Sequence, residues 1–346
     1  MSTVAAPKTP VSAQESGESS TNQAGSQPAG LSRWSLRVLL PVPLAAVLTL
    51  VLHLLVAKEE PPDETAMYTK FLWIVLGISL VGIGLQTCWA GLRRWMHHMS
   101  PILAAAILLL AFWETATTWQ RWLQIPYYPS PAGVVYSLVG DRKMLWDSTW
   151  HSLLLLLQGY ALGVLVGLIS GVCIGWFPVA RYWGMPVLKV LGPIPASAWI
   201  PVAMTIARPG ADSAVGLIAI AVWFPVTMLT ASGISNTRTS YLDVAKTLGA
   251  GRAFLIFRVA IPAAMPNIFI GLFMGLGASF LTLVVAESVG VKSGLGWYLT
   301  WAEGWGEYGK VYAALVIMAA FFSTIMTVLF KVRDWVLVWQ KGVIKW

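Results

Sequence analysis

Apolar residues run along most of this chain in blocks of about twenty, at roughly 38–57, 71–92, 102–119, 153–177, 187–207, 214–231, 265–289 and 311–330. That is the length a helix needs to cross the hydrocarbon layer of a bilayer. Inside lipid every backbone N–H and C=O must find a partner within the protein, so only helices and closed barrels can span it. A barrel would show strands of about ten residues alternating apolar and polar, and these blocks do not alternate. Composition agrees: 57% of residues are hydrophobic, 11% are charged and the mean hydropathy is +0.70, whereas about a quarter of a soluble domain is charged. The chain reads as an all-α integral membrane protein of about eight spans.

The net charge of +8 does not point to nucleic acid. Lys and Arg stand in ones and twos at the ends of apolar blocks, with no dense basic run. Cys88 and Cys173 each lie inside an apolar block without a CxxC or His-spaced partner, so no metal site is indicated and both read as small core residues. Residues 1–32 are rich in Ser, Ala, Gly, Gln and Pro without periodicity, the composition of a disordered tail. The first apolar block is too long, and too far from the start, for a secretory leader.

Short cytoplasmic loops collect Lys and Arg. Eight spans put both termini on one side; with that side cytoplasmic, fourteen of the 23 Lys and Arg fall inside and eight outside, with Lys189 within a span. Glu59, Glu60, Asp63 and Glu64 crowd the first outer loop. Trp34, Trp95, Trp119, Trp150, Trp297 and Trp346 lie near span ends, as interfacial indoles do.

The longest loop on the inner side is 232–262. Leu242, Ala245 and Leu248 recur at helical spacing, Gly249 can supply the backbone conformation that stops a helix, and Phe254, Phe257 and Ile261 continue an apolar face to Pro262. A helix, turn and second helix of this kind suits docking into a groove on a soluble partner. Asp243-Val244-Ala245, then Gly249, Val259, Ile261 and Pro262 match the spacing of the signature loop of ABC importer permeases, with Asp243 and Val244 in place of the usual Glu and first Ala. Tyr128-Pro129-Ser130-Pro131, the run Gly192-Pro193-Ile194-Pro195-Ala196-Ser197-Ala198-Trp199-Ile200-Pro201, and Ala286-Glu287 followed by Ser293-Gly294-Leu295-Gly296 resemble the nitrate/sulfonate/taurine branch of that family. The matches run in order over about residues 100 to 335.

The resemblance implies a six-helix type I ABC importer permease core at 96–335, two additional N-terminal transmembrane helices at 33–95, and cytoplasmic tails at 1–32 and 336–346. It implies a plasma (inner) membrane protein with both termini cytoplasmic that is not itself an enzyme. Its partners would be a cytoplasmic ABC ATPase dimer holding ATP and Mg, a second permease copy or paralogue, and an external solute-binding protein, with lipid around it. The solute would be a small organic or inorganic anion such as a sulfonate, taurine or nitrate. Asp243, Ala245, Gly249, Arg252 and Pro262 would form the ATPase-coupling loop. No Gly-x-x-x-x-Gly-Lys-Ser/Thr phosphate loop occurs, so energy must come from another polypeptide.

Glu287 is an ionisable group inside a span, a functional candidate or a hydrogen-bonded structural one; Glu114 is similar. Pro193, Pro195 and Pro201 must interrupt a helix, and broken backbone at membrane depth is tolerated where it is buried or lines a cavity. Pro195, Ser197, Trp199 and Glu287 are therefore candidates for a translocation path. Gly159, Gly163, Gly167, Gly171 and Gly175 form a stripe for close helix approach. Two other functions compete: an intramembrane protease, for which Ser170 and His151 are the available nucleophile and base, and an ion-coupled carrier or channel acting without an ATPase, for which only Glu287, Glu114 and Lys189 are available.

Overall fold

The computed structural model describes residues 40–56, 61–85, 90–123, 126–207 and 210–339; the expected tail at 1–32 and most of that at 336–346 lie outside them, as does Cys88. Every regular element among these residues is helical. In chain order they are α1 (Pro41–Val56), α2 (Pro62–Leu85), α3 (Ala90–Glu114, continued by a π turn at Thr115–Trp119), α4 (Pro131–Gly140), α5 (Arg142–Trp176), α6 (Pro178–Leu191) and α7 (Ile200–Ala207). Then come α8 (Ala211–Ser235), α9 (Thr239–Thr247), α10 (Arg252–Gly290, with a π turn at Leu255–Ala260), α11 (Leu295–Gly304) and α12 (Tyr308–Val336).

Among the described residues, six helices are long and apolar enough to cross a membrane by themselves. The single span expected over 187–207 is instead a broken pair: α6 and the segment Ala196–Ala207 meet at 92°. Gly192, Pro193 and Pro195 explain the break, because proline lacks the N–H a helix needs and disfavours helical backbone in the residue before it. Pro201, by contrast, occupies the first turn of α7, where a missing N–H costs nothing. At 16 residues, the described part of α1 is about 24 Å long.

The core seam joins α5 and α8. Gly159, Gly163, Gly167, Gly171 and Gly175 face Ile218, Val222, Val226, Thr230 and Ile234 in turn, and a methyl group on any of these glycines would come within 2.6 to 2.9 Å of α8. Without Cβ atoms the two backbones approach closely over four turns, which maximises dispersion contact where lipid offers no hydrophobic drive. The stripe therefore serves packing within the chain. Because the pairs rise together in number, α5 and α8 run parallel. The chain must then return across the membrane between them, and the bent α6–α7 pair is what carries it.

α10 lies antiparallel to α8: Gly233 meets Ala264 and Asn267, Gly271 meets Pro225 and Leu229, and Gly275 meets Val222. The loop containing α9 therefore stands at one end of the bundle, while α4, α11 and the start of α12 stand at the other. Trp113 of α3 packs on Tyr312 of α12 with ring centroids 5.7 Å apart, so the end of α3 also lies there. The apolar cluster of Leu50, Tyr68, Leu72 and Ala132 joins α1 and α2 to α4.

Candidate functional site

At the loop end, α9 stops in a Schellman arrangement: Ala250 N–H donates to the Ala245 carbonyl at 3.0 Å and Gly249 N–H to the Lys246 carbonyl at 2.9 Å. Gly249 has φ +84° and no neighbour within 4 Å of where a Cβ would be, so conformation and not space requires glycine there. Asp243 is exposed and pairs with Lys246 at 3.2 Å. Tyr241, Val244, Leu248, Phe254 and Phe257 are all exposed, Leu248 to 83%. The inward side of the second segment is carried instead by Leu255, Ile256 and Ala260, all buried, where the π turn shifts the register of α10.

Tyr241, Val244 and Leu248 lie on and just after the short α9, between the spans α8 and α10, while Phe254 and Phe257 lie in the first turns of α10 itself. Ala245 is half-buried between the two segments, Arg252 opens α10 with its side chain exposed, and Pro262 follows the π turn half-buried. Asp243, Ala245, Gly249 and Arg252 thus stand together at the loop's exposed end, with Pro262 at the base where α10 enters the bundle.

Pro195, Ser197 and Trp199 line a cavity of about 630 Å³ beneath the broken pair. Its other walls include Trp223 and Phe224 of α8 and Met274 and Thr282 of α10. Gly192 permits the bend, since a Cβ there would lie 2.2 Å from the Phe224 ring. Among the described residues, no Lys, Arg, His, Asp or Glu lines this cavity.

Glu287 is elsewhere. Its side chain is buried at the far end of α10 and organises the start of α11: Gly296 N–H donates to Oε2 at 2.8 Å and Ser152 Oγ donates to Oε1 at 2.7 Å. Ser152 Oγ in turn accepts the Leu295 N–H at 2.8 Å. One carboxylate and one hydroxyl thus satisfy two N–H groups that a helix start leaves without intrahelical partners. Gly294 is required by this arrangement, because its φ is +111° and a Cβ would lie 2.4 Å from the Glu287 carboxylate. Ser152, 135 residues away in sequence, gave no signal of this role.

α11 was also missed, since ten residues of mixed polarity between two apolar blocks show no decisive period. It is held at its far side by Tyr298, whose hydroxyl donates to Asp141 Oδ2 at 2.8 Å, and Lys310 Nζ reaches the same oxygen at 3.3 Å. Burial and, next, the bond to Asp141 push the Tyr298 phenol well above its ordinary value, so it stays a neutral donor.

The other candidate chemistries do not assemble. Ser170 and His151 are 19 positions apart on α5, about 28 Å along the axis, and Ser170 is engaged by Trp223 and Thr227. Glu114 is buried against His53, and Lys189 is exposed in the last turn of α6.

Residues 163–337 match the family of binding-protein-dependent transport system inner membrane components. The chain belongs to that family. This permease is 30% identical to a probable ABC transporter permease protein of Haemophilus influenzae, over 69% of its own length and 95% of the relative's. It is 29% identical to the taurine transport system permease protein TauC of Escherichia coli, over 62% and 80% of the two chains. With the nitrate import permease protein NrtB of Synechocystis it shares 28% identity over 66% and 84%. In fold the permease resembles a chain of the MetNI methionine ABC transporter in an inward-facing conformation, with a TM-score of 0.50 over 57% of this chain and 98% of that one, at 16% identity. The protein is a multi-pass transport permease of the inner-membrane ABC type, an importer subunit.

Proposed function

We propose that this permease works as one half of a paired transmembrane path, driven by a cytoplasmic ABC ATPase dimer that holds ATP and Mg and supplied by an external solute-binding protein. The other half is a second copy or a paralogue. The observation that carries the reading is the exposed surface of α9 and the start of α10, where Tyr241, Val244, Leu248 and Phe254 surround Asp243 at a loop end held in shape by Gly249. An exposed apolar face on a helix between two spans suits a groove on a soluble partner. ATP binding would close the ATPase pair and tilt the helices rooted in this loop, and hydrolysis would reset them.

In this reading both termini and α9 face the cytoplasm, in agreement with the excess of Lys and Arg on that side, and α4 and α11 face the binding protein. The division into N-terminal helices at 33–95 and core at 96–335 is part of the proposal. The cavity lined by Pro195, Ser197 and Trp199 is the path segment of this half. The relatives' names point to small anions as solutes; among its described lining residues this cavity offers such a solute the Ser197 hydroxyl and the Trp199 indole N–H, the Trp223 N–H being donated to Ser170. Glu287 acts as a support for α11.

The test is to extract the chain gently from its native membrane, unaltered and with Asp243→Ala plus Gly249→Val, and to identify co-purifying proteins by mass spectrometry. An ATPase subunit retained by the unaltered chain and lost from the variant is the expected result. Solute uptake that persists without ATP but needs a proton or sodium gradient would overturn the proposal.

A further inference from the structure

We infer that the buried junction of His53, Thr69 and Glu114 is a positioning element that fixes α1 and α2 against the core and, through α4, sets the placement of α11. The inference rests on the reading above in one respect, that α11 belongs to the face receiving the binding protein.

Three helices each contribute one polar side chain to this junction. His53 on α1 and Glu114 on α3 are 0% and 1% exposed. The His53 Nδ1 faces Glu114 Oε1, and its Nε2 lies 2.9 Å from Thr69 Oγ1 on α2. Thr69 donates its own hydroxyl proton to the Thr65 carbonyl at 2.7 Å. The Thr69 oxygen is therefore the acceptor toward His53, and Nε2 carries a proton. At Nδ1 one proton is shared with Glu114, as imidazolium and carboxylate or as imidazole and carboxylic acid, and the bond persists in either form.

The location gives this bond its consequence. Apolar helices in lipid discriminate poorly between registers, because lipid is as apolar as the side chains they would exchange for it. A buried polar pair does discriminate. Sliding α1 by one turn, about 5.4 Å, would strand both groups in an apolar surrounding. The registry role is the best-attested use of such pairs.

From the junction, contacts lead step by step to the far face. The Tyr68 ring stands edge-on to His53 at 4.8 Å, and Tyr68 and Leu72 pack on Ala132 of α4. On its other side α4 touches α12, where a methyl on Gly309 would come within 3.0 Å of Ser137 Oγ. Asp141, which caps α4, receives the hydroxyl of Tyr298 on α11. Moving α1 and α2 therefore moves α4, and α4 holds α11.

The experiment compares the unaltered assembled transporter with Glu114→Ala, Glu114→Gln and the exchanged pair His53→Glu with Glu114→His, in proteoliposomes. Glu114→Ala is expected to raise the half-saturating concentration of binding protein about tenfold, with ATPase activity in its absence unchanged. Glu114→Gln, which can still donate to Nδ1, and the exchanged pair should both stay near the unaltered value. Hydrogen exchange in the solubilised chain adds a readout that needs no partner: the α4 amides should exchange faster in Glu114→Ala and not in Glu114→Gln. Unchanged exchange in α4 overturns the inference even if the transporter proves independent of a binding protein, an outcome that would remove only the functional reading. It also fails if Glu114→Ala lowers maximal rate and basal ATPase together without moving half-saturation.

Discussion

Gly249 has open space around it and is still not interchangeable, because its φ of +84° costs a residue with a Cβ about 1–2 kcal/mol. Gly249→Ala should lower the melting temperature of the solubilised chain by a few degrees only, while lowering ATP-driven uptake much more. Asp243→Ala sharpens the distinction: an exposed i,i+3 pair with Lys246 contributes about 0.5 kcal/mol or less, so any large loss of uptake would report docking and not folding. At the other end of the bundle, Glu287→Leu leaves the Gly296 N–H and the Ser152 hydroxyl without their acceptor, at about 1–3 kcal/mol each. A melting temperature clearly below that of Glu287→Gln is expected, since Gln keeps one acceptor. Tyr298 supplies a pH test. Its folded-state pKa lies above the ordinary 10, so above pH 10 the unfolded chain loses a proton that the native chain keeps, and stability falls as pH rises. Tyr298→Phe should flatten that alkaline decline in a series of melts.

Among the elements, the α5–α8 seam carries the sharpest expectation. Gly167→Leu would drive a side chain into Val226 and the Trp223 carbonyl, and overpacking of this order costs about 1–3 kcal/mol or more; loss of thermal stability and of membrane yield should follow, whereas Gly277→Ala, with nothing within 4 Å, should be tolerated. This seam was legible in the sequence as a four-residue glycine spacing, because helical period and small size leave a one-dimensional trace. The partner of the stripe was not, since any helix could have filled it. The same limit applies to charge in lipid: hydropathy marks Glu114 and Glu287 as costly but cannot say that His53 and Ser152 offset the cost. The Pro and Gly run at 192–195 announced a break, yet only the packing of Gly192 on Phe224 fixes the 92° bend.

At the scale of the whole molecule, the spans and the loop signature suffice to read a transport permease from the sequence, because both are local in it. What stayed hidden was long-range: the junction of α1, α2 and α3, and the bracket of Asp141, Glu287 and Ser152 around α11. Those contacts divide the protein mechanically. α5 and α8 are locked side by side along four turns, so they can move only as one stiff plank. The α6–α7 elbow beside them is joined at a bend whose proline nitrogens have no hydrogen bonds to break. The cavity is walled by this elbow, by α8 of the plank and by α10, so its volume can change by the elbow swinging like a hinge on a frame, without α5 and α8 sliding along one another.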